Sequence, residues 1–179
     1  FIIGSAIGLW AGFKSGLTDV FLMRLTDVQL SIPAIVLAIS ILGVSRPSVL
    51  SIVLVLTLAG WPVYSRVARS IALNERTREF VLAARVSGAS DLRIVLLLIA
   101  ANVIPSFIFF AILDIARMMI FEAMLSFLGL GIQPPTPSFG TMIADGRKYM
   151  LNAWWISSIP GAFLFMFYRL ENSYNQEHQ

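Results

Sequence analysis

The chain has 179 residues, 58% of them hydrophobic and 13% charged, with a mean hydropathy of +0.82. Soluble domains carry roughly 45–50% apolar and about 25% charged residues, so a polytopic membrane protein is expected, the alternative being a soluble protein with an unusually apolar core. With no cysteine and a single histidine, His178 in a polar tail, disulfides, thiolate metal sites and a histidine metal cluster are excluded; the net charge of +3 comes with arginines gathered in one loop, a topology signal rather than a nucleic-acid footprint.

Residues 1–13 are apolar and make up about half to two-thirds of a bilayer span. Phe1 opens the chain inside this run, with no initiator Met and no signal-peptide pattern, so the chain reads as a fragment whose upstream part is absent. Gly4, Gly8, Gly12 and Gly16 recur every fourth residue, which predicts a smooth helix face for close packing. Residues 14–29 hold Lys14, Asp19, Arg24 and Asp27 and read as a short loop with a helical end. Residues 28–44 are long enough to span, with Pro33 near the start where a missing N–H costs least. A tight connection carrying Arg46 follows, then a second span over 48–64 that ends in the interfacial aromatics Trp61 and Tyr64.

The next stretch carries Arg66, Arg69, Arg76, Arg78, Arg85 and Arg93 against Glu75, Glu79 and Asp91. It is basic on balance and is therefore expected on the cytoplasmic side. Counting spans backward puts Lys14 and Arg24 on that side too, and Arg46 outside. Within this loop, residues 76–86 predict a helix with Phe80, Ala83, Ala84 and Ser87 on one face. Gly88 is suited to the positive φ that ends it, and Ser90 to capping a second helix with Asp91 in its first turn. A helix–turn–helix of small residues, rimmed by Glu79 and arginines, fits a groove on a partner.

The apolar run that follows has two registers. Residues 94–113 span by hydropathy alone; alternatively the span is 103–125, with 94–102 a buried cytoplasmic helix and Asp114 and Arg117 paired inside the membrane. Residues 129–140 are full of glycine and proline and predict irregular, turning chain. Residues 142–151 are amphipathic. Residues 154–168 form a last run, marginal for a span and containing Pro160, and residues 169–179 read as a disordered polar tail.

Three function classes compete on these residues. Asp114, Arg117 and Glu122 could line an ion or proton path in a gradient-driven channel or secondary transporter. An intramembrane hydrolase would need a nucleophile with a base, or a metal site, and the spans offer neither. The chain has no Gly-rich loop ending in Lys-Ser/Thr, so ATP binding by the chain itself is excluded. The third class is a subunit driven through its basic loop.

The motifs, taken in order, resemble the permease subunits of bacterial dipeptide, oligopeptide and nickel ABC importers, binding-protein-dependent inner-membrane components. Asp19, Met23, Arg24, Asp27 and Ser31-Ile-Pro33 resemble the segment after that family's second helix. Gly60-Trp61-Pro62, Tyr64 and Arg66 resemble the entry to the "EAA" loop, and Glu79, Ala83, Ala84, Arg85, Gly88, Ala89, Ser90 and Arg93 the loop itself. Glu122, Leu125, Ser126, Gly129, Gly131, Gln133, Pro134, Pro135, Pro137 and Gly140 resemble the outer segment after the fifth helix, the motif specific to the peptide/nickel branch. Trp154 and Pro160-Gly161 resemble the start of the sixth. The chain differs where the family carries an Arg-His pair and a proline, here Leu97-Leu98 and Ala101. It differs also in its charges Asp114 and Arg117 and in the polar end after Phe165.

The resemblance implies an all-α polytopic protein, the transmembrane domain of a type I ABC importer with about five of the usual six helices, multi-pass in the bacterial inner membrane. It implies a domain over 1–168, with a coupling loop at about 65–102 and an outer segment at about 126–152, followed by the tail 169–179. It favours the 103–125 register. It implies a non-enzymatic permease with no cofactor of its own, ATP and Mg being bound by partner ATPase subunits. The other implied partners are a second permease as a heterodimer and an extracytoplasmic solute-binding protein. ATP binding would close the ATPases, and the coupling loops would convert that motion into rearrangement of the helices.

Overall fold

The structure is a computed structural model and describes residues 1–45, 48–133 and 135–177, all regular elements of which are helical. In chain order these are α1 (Ile2–Lys14), α2 (Gly16–Ser31), α3 (Ala34–Val44), α4 (Val49–Glu75), α5 (Glu79–Val86) and the single turn α6 (Asp91–Arg93). A π-helical segment (Ile94–Ile99) leads directly into α7 (Ala100–Phe127), followed by α8 (Phe139–Gly146), a 3-10 turn (Arg147–Tyr149) and α9 (Trp155–Glu177). Two compact units emerge: Phe1–Ala34 with Thr57–Phe110, and Ile35–Leu56 with Ala111–Gln179. Among the described residues, α4 alone is long and apolar enough to cross a membrane as one helix, and α2 with α3 qualify together as a broken pair.

In the first unit, α1 lies along α4 with the two backbones nearly touching. A Cβ added at Gly4 or Gly8 would overlap the carbonyl oxygens of Trp61 and Ser65, and one at Gly12 would lie 2.6 Å from that of Arg69. The four-residue repeat on α1 thus meets a four-residue repeat on α4, where Ala68 and Ala72 supply small side chains. Gly16 is the exception to the predicted stripe: no atom lies near its Cβ position, and it serves the α1–α2 turn at φ 67°. The core below the seam is Leu9, Phe13, Tyr64, Val81, Ile94, Val95, Ile99, Val103 and Phe107, with Phe1, Tyr64, Phe107 and Phe110 stacked edge to face.

Residues 14–29 correct the sequence reading. From Gly16 on they are not a loop but most of α2, whose Asp19 and Asp27 are answered by arginines of α4. Arg69 grips the buried Asp19 with two hydrogen bonds, Nε to Oδ1 at 2.5 Å and Nη2 to Oδ2 at 2.7 Å. Arg66 Nη2 reaches Asp27 Oδ1 at 2.6 Å. Residues 65–75, read as loop, likewise continue α4 beyond the predicted 48–64 span. Pro62 is fully buried inside α4 and cannot bond the Leu58 carbonyl four residues back. Gln29 Nε2 of α2 donates to that oxygen at 3.3 Å, so the neighbouring helix meets the need the proline creates.

The predicted 28–44 span is interrupted: α2 ends at Ser31, Ile32 is extended, and the chain resumes as α3 after Pro33, since the residue before a proline disfavours helix. The predicted 76–86 helix begins later, at Glu79, after Arg76 and Thr77 turn. Arg46 and His178 lie outside the described residues.

In the second unit, Ala38, Leu42, Ile52, Val55 and Leu125 form the core, with Phe121, Leu130 and Ile132 against it. Helices α8 and α9 make a hairpin in which Gly146 sits where a Cβ would meet Ser157, whose Oγ donates to the Ile143 carbonyl at 3.0 Å. Over residues 169–177 the expected disordered tail is helical, for α9 runs on to Glu177. Residues such as Arg169, Leu170, Glu171 and Gln176 are good helix formers extending a helix already nucleated.

Candidate functional site

The residues singled out in the basic loop come together as one small module. Helix α5 starts at Glu79 and buries Val81 completely. It closes in a Schellman motif: Ala89 N–H bonds the Ala84 carbonyl and Gly88 N–H that of Arg85, both at 3.0 Å. Gly88 takes φ 79° with no neighbour within 4 Å of its Cβ position. Ser90 then caps α6, its Oγ accepting from Arg93 N–H at 3.4 Å.

Of the predicted α5 face, Ala83 and Ser87 are exposed, whereas Phe80 and Ala84 lean on the core. The outward surface includes two residues the sequence reading left out, Leu82 and Val86, 50% and 90% exposed. Further along the chain Leu92, Leu96 and Leu97 are also more than half exposed. Glu79, Arg85 and Arg93 are exposed in the same segment. A helix period would have revealed Leu82 and Val86, since residues four apart share a face. The module is thus a small-residue turn with an uncovered apolar face and exposed charges, suited to holding another protein rather than to bond-making chemistry. The π-helical segment after it buries Ile94, Val95 and Ile99, as the buried-helix register expects for this stretch, but it runs unbroken into α7.

The module's inner side is tied to the end of α1. Lys14 Nζ lies 2.6 Å from Asp91 Oδ2 and 5.4 Å from the Trp10 ring centre. Arg76 Nη1 donates to Ser15 Oγ, and the Arg85 guanidinium lies 4.9 Å from the centre of the Phe13 ring. The Lys14 hydrogen bond holds the Asp91 carboxyl below its ordinary range; slight desolvation opposes this, and the charges of Lys14 and Arg85 add to it.

The second predicted set belongs to the other unit. Helix α7 ends in another Schellman motif, Leu130 N–H to the Leu125 carbonyl and Gly129 N–H to that of Ser126, at 3.0 and 2.9 Å, with Gly129 at φ 81°. The buried Gly131 and Gly140 lie where added Cβ atoms would overlap Ser126. Ser126 Oγ donates to Glu122 Oε1 at 2.6 Å. Ser138 and Thr141 form a reciprocal capping box at the start of α8. Pro135 is exposed in the turn between; Pro134 lies outside the described residues. A polar hollow of about 270 Å³ opens here, lined by Ser126, Gln133, Thr141, Asp145 and Lys148.

The proposed ion path finds its charges engaged locally. Arg117 Nη1 lies 3.7 Å from Asp114 Oδ1, as the one-turn spacing predicts, and Glu122 is held by Ser126. Among the described residues no three acidic, histidine or cysteine side chains could hold a metal ion.

Residues 4–170 match the family described as binding-protein-dependent transport system inner membrane component. The chain belongs to this family. It is therefore an inner-membrane transport component. The chain is 36% identical over 165 residues to the Di/tripeptide transport system permease protein DppC of Pseudomonas aeruginosa, covering 92% of this chain and 54% of that protein. It is 38% identical over 168 residues to the Nickel transport system permease protein NikC of Escherichia coli, covering 92% and 59%. It is 40% identical over 160 residues to a putative peptide transport system permease protein of Brucella suis, covering 89% and 54%. The chain spans a little over half the length of these curated relatives.

Proposed function

We propose that the chain is a membrane-spanning permease subunit of an ATP-driven importer of peptides or a similar small solute, and that residues 79–93 dock its ATPase. The observation that carries this reading is the α5 surface. A module with a turn that requires glycine presents Leu82, Ala83, Val86 and Ser87 outward, uncovered, in a family whose members work inside a transport system. Covering such a face with a partner gains apolar burial, and the exposed Glu79, Arg85 and Arg93 give it orientation. The further partners of this reading are a second permease, similar but not identical, and a solute-binding protein arriving from outside. The outer segment, with its polar hollow and the exposed Asp145, Arg147 and Lys148, supports that last role. The peptide and nickel relatives support peptides or a similar small solute as the cargo.

The test is co-expression with candidate ATPases and sister permeases, followed by purification in detergent. The parent chain is expected to bring down an ATPase, and Gly88→Asp to lose it while still inserting. Gly88→Asn, which tolerates a positive φ without adding charge, is expected to retain it. Equal recovery with Gly88→Asp would refute the assignment of the docking surface.

A further inference from the structure

Beyond the docking face itself, and resting on the reading above, we propose that the α1–α2 turn receives the ATPase-driven motion and passes it to the helices, with Lys14 as the positioning residue. Two contacts tie the end of α1 to the docking module, and a third ties its turn to Arg76 just before that module. Lys14 bonds Asp91 at 2.6 Å across 77 residues of sequence. Arg76 donates to Ser15 Oγ. Arg85 lies over Phe13. Each joins a residue of 13–15 to one of 76–91, so force applied to the module is applied to the turn as well.

The turn is built to respond. Ser15 has φ 53°, a value rare for a residue with a side chain, and its neighbour Gly16 has φ 67°. Such backbone persists where surrounding contacts impose it, and here a principal contact comes from Arg76 of the loop. Beyond the turn, α2 is bolted to α4 by Asp19–Arg69 and Asp27–Arg66. Helix α1 is keyed into α4 by Gly4, Gly8 and Gly12. A displacement of the turn is therefore carried by helices that cannot easily slide past their neighbours. Lys14 is steadied by Trp10 on one side, so its ammonium stands ready for Asp91. Asp91 is not needed to cap its own helix, because Ser90 does that.

The chain has no cysteine, so one introduced at Leu17, 89% exposed beside the turn, gives a single reporter. The experiment uses the complex recovered with its ATPase and measures the labelling rate of Leu17→Cys by a maleimide with and without a non-hydrolysable ATP analogue. In the parent the analogue is expected to change the rate several-fold. Lys14→Asp should recover as much ATPase yet lose the change. The swap Lys14→Asp with Asp91→Lys, and the conservative Lys14→Arg, should bring it back; ATPase recovery by Lys14→Asp equal to the parent's separates lost transmission from a merely structural loss. A nucleotide response that persists in Lys14→Asp, or is absent from a parent complex that holds its ATPase, overturns the proposal. A parent that recovers no ATPase overturns the docking reading, and this inference falls with it.

Discussion

Gln29 shows how much one polar side chain can settle in an apolar setting. Pro62 leaves the Leu58 carbonyl without its helical partner, and the Gln29 amide supplies one. Where water is scarce an unpaired carbonyl is costly, and measured membrane hydrogen bonds average about 0.6 kcal/mol with a maximum near 1.7. Gln29→Leu is expected to destabilise the protein by about 1 kcal/mol, and thermal unfolding in detergent would read it; a variant as stable as the parent would mean that the carbonyl is satisfied otherwise. Asp91 gives a second expectation at this scale. Its carboxyl titrates lower in the folded chain than its ordinary value of 3.8, because Lys14 bonds its charged form. The contribution of this pair to stability is therefore fully present above about pH 4 and is lost as pH falls through the lowered folded value. In Asp91→Asn that part of the acid loss should disappear, seen as a shallower decline of unfolding temperature as pH falls below about 4. The pair is partly exposed, so salt should weaken it.

At the scale of elements, glycine acts in two different ways. Gly4, Gly8 and Gly12 exist for space, and Gly88 and Gly129 for backbone conformation. Gly8→Ala puts a methyl into the Ser65 carbonyl, and α1 and α4 must part to admit it. Overpacking of this kind costs about 1–3 kcal/mol. Gly43, by contrast, sits near the end of α3 with open space at its Cβ position, and Gly43→Ala is expected to stabilise by up to about 1 kcal/mol through helix propensity. Unfolding of the two variants side by side separates close packing from mere glycine content. If both behave alike, the α1–α4 seam does not control stability. The same seam explains why α2 is a helix despite its charges. With α1 keyed to α4, the arginines of α4 face Asp19 and Asp27, and the charges that suggest a loop become interhelical bonds.

For the whole molecule, the question is whether transport is pumped or runs down a gradient. Asp114 and Arg117 pair along one helix and so balance each other's charge, and Glu122 accepts a hydrogen bond from Ser126. Asp114→Asn is therefore expected to leave ATP-dependent uptake by the assembled complex in place, measured in vesicles with ATP supplied inside; uptake abolished in that variant, with the ATPase still bound, would restore the ion-path reading. Much of this was legible beforehand. Apolar runs marked the helices, Gly88 and Ser90 marked the turn between α5 and α6, and the Asp114–Arg117 spacing marked its pair, because each depends on neighbours a few residues away. The motifs around Glu79–Arg93 and Leu125–Gly140 also carried the family, since recurrent local geometry leaves recurrent sequence. What was missed depends on distant partners. Residues 16–29 became α2 because Arg66 and Arg69 lie opposite Asp27 and Asp19, and Lys14 met Asp91 across 77 residues. Composition and short-range pattern by themselves determined a helical membrane protein with a basic, glycine-closed turn. Only tertiary structure decided which charges are paired and which glycines are spacers, because burial and pairing are properties of two segments brought together and neither segment encodes the other.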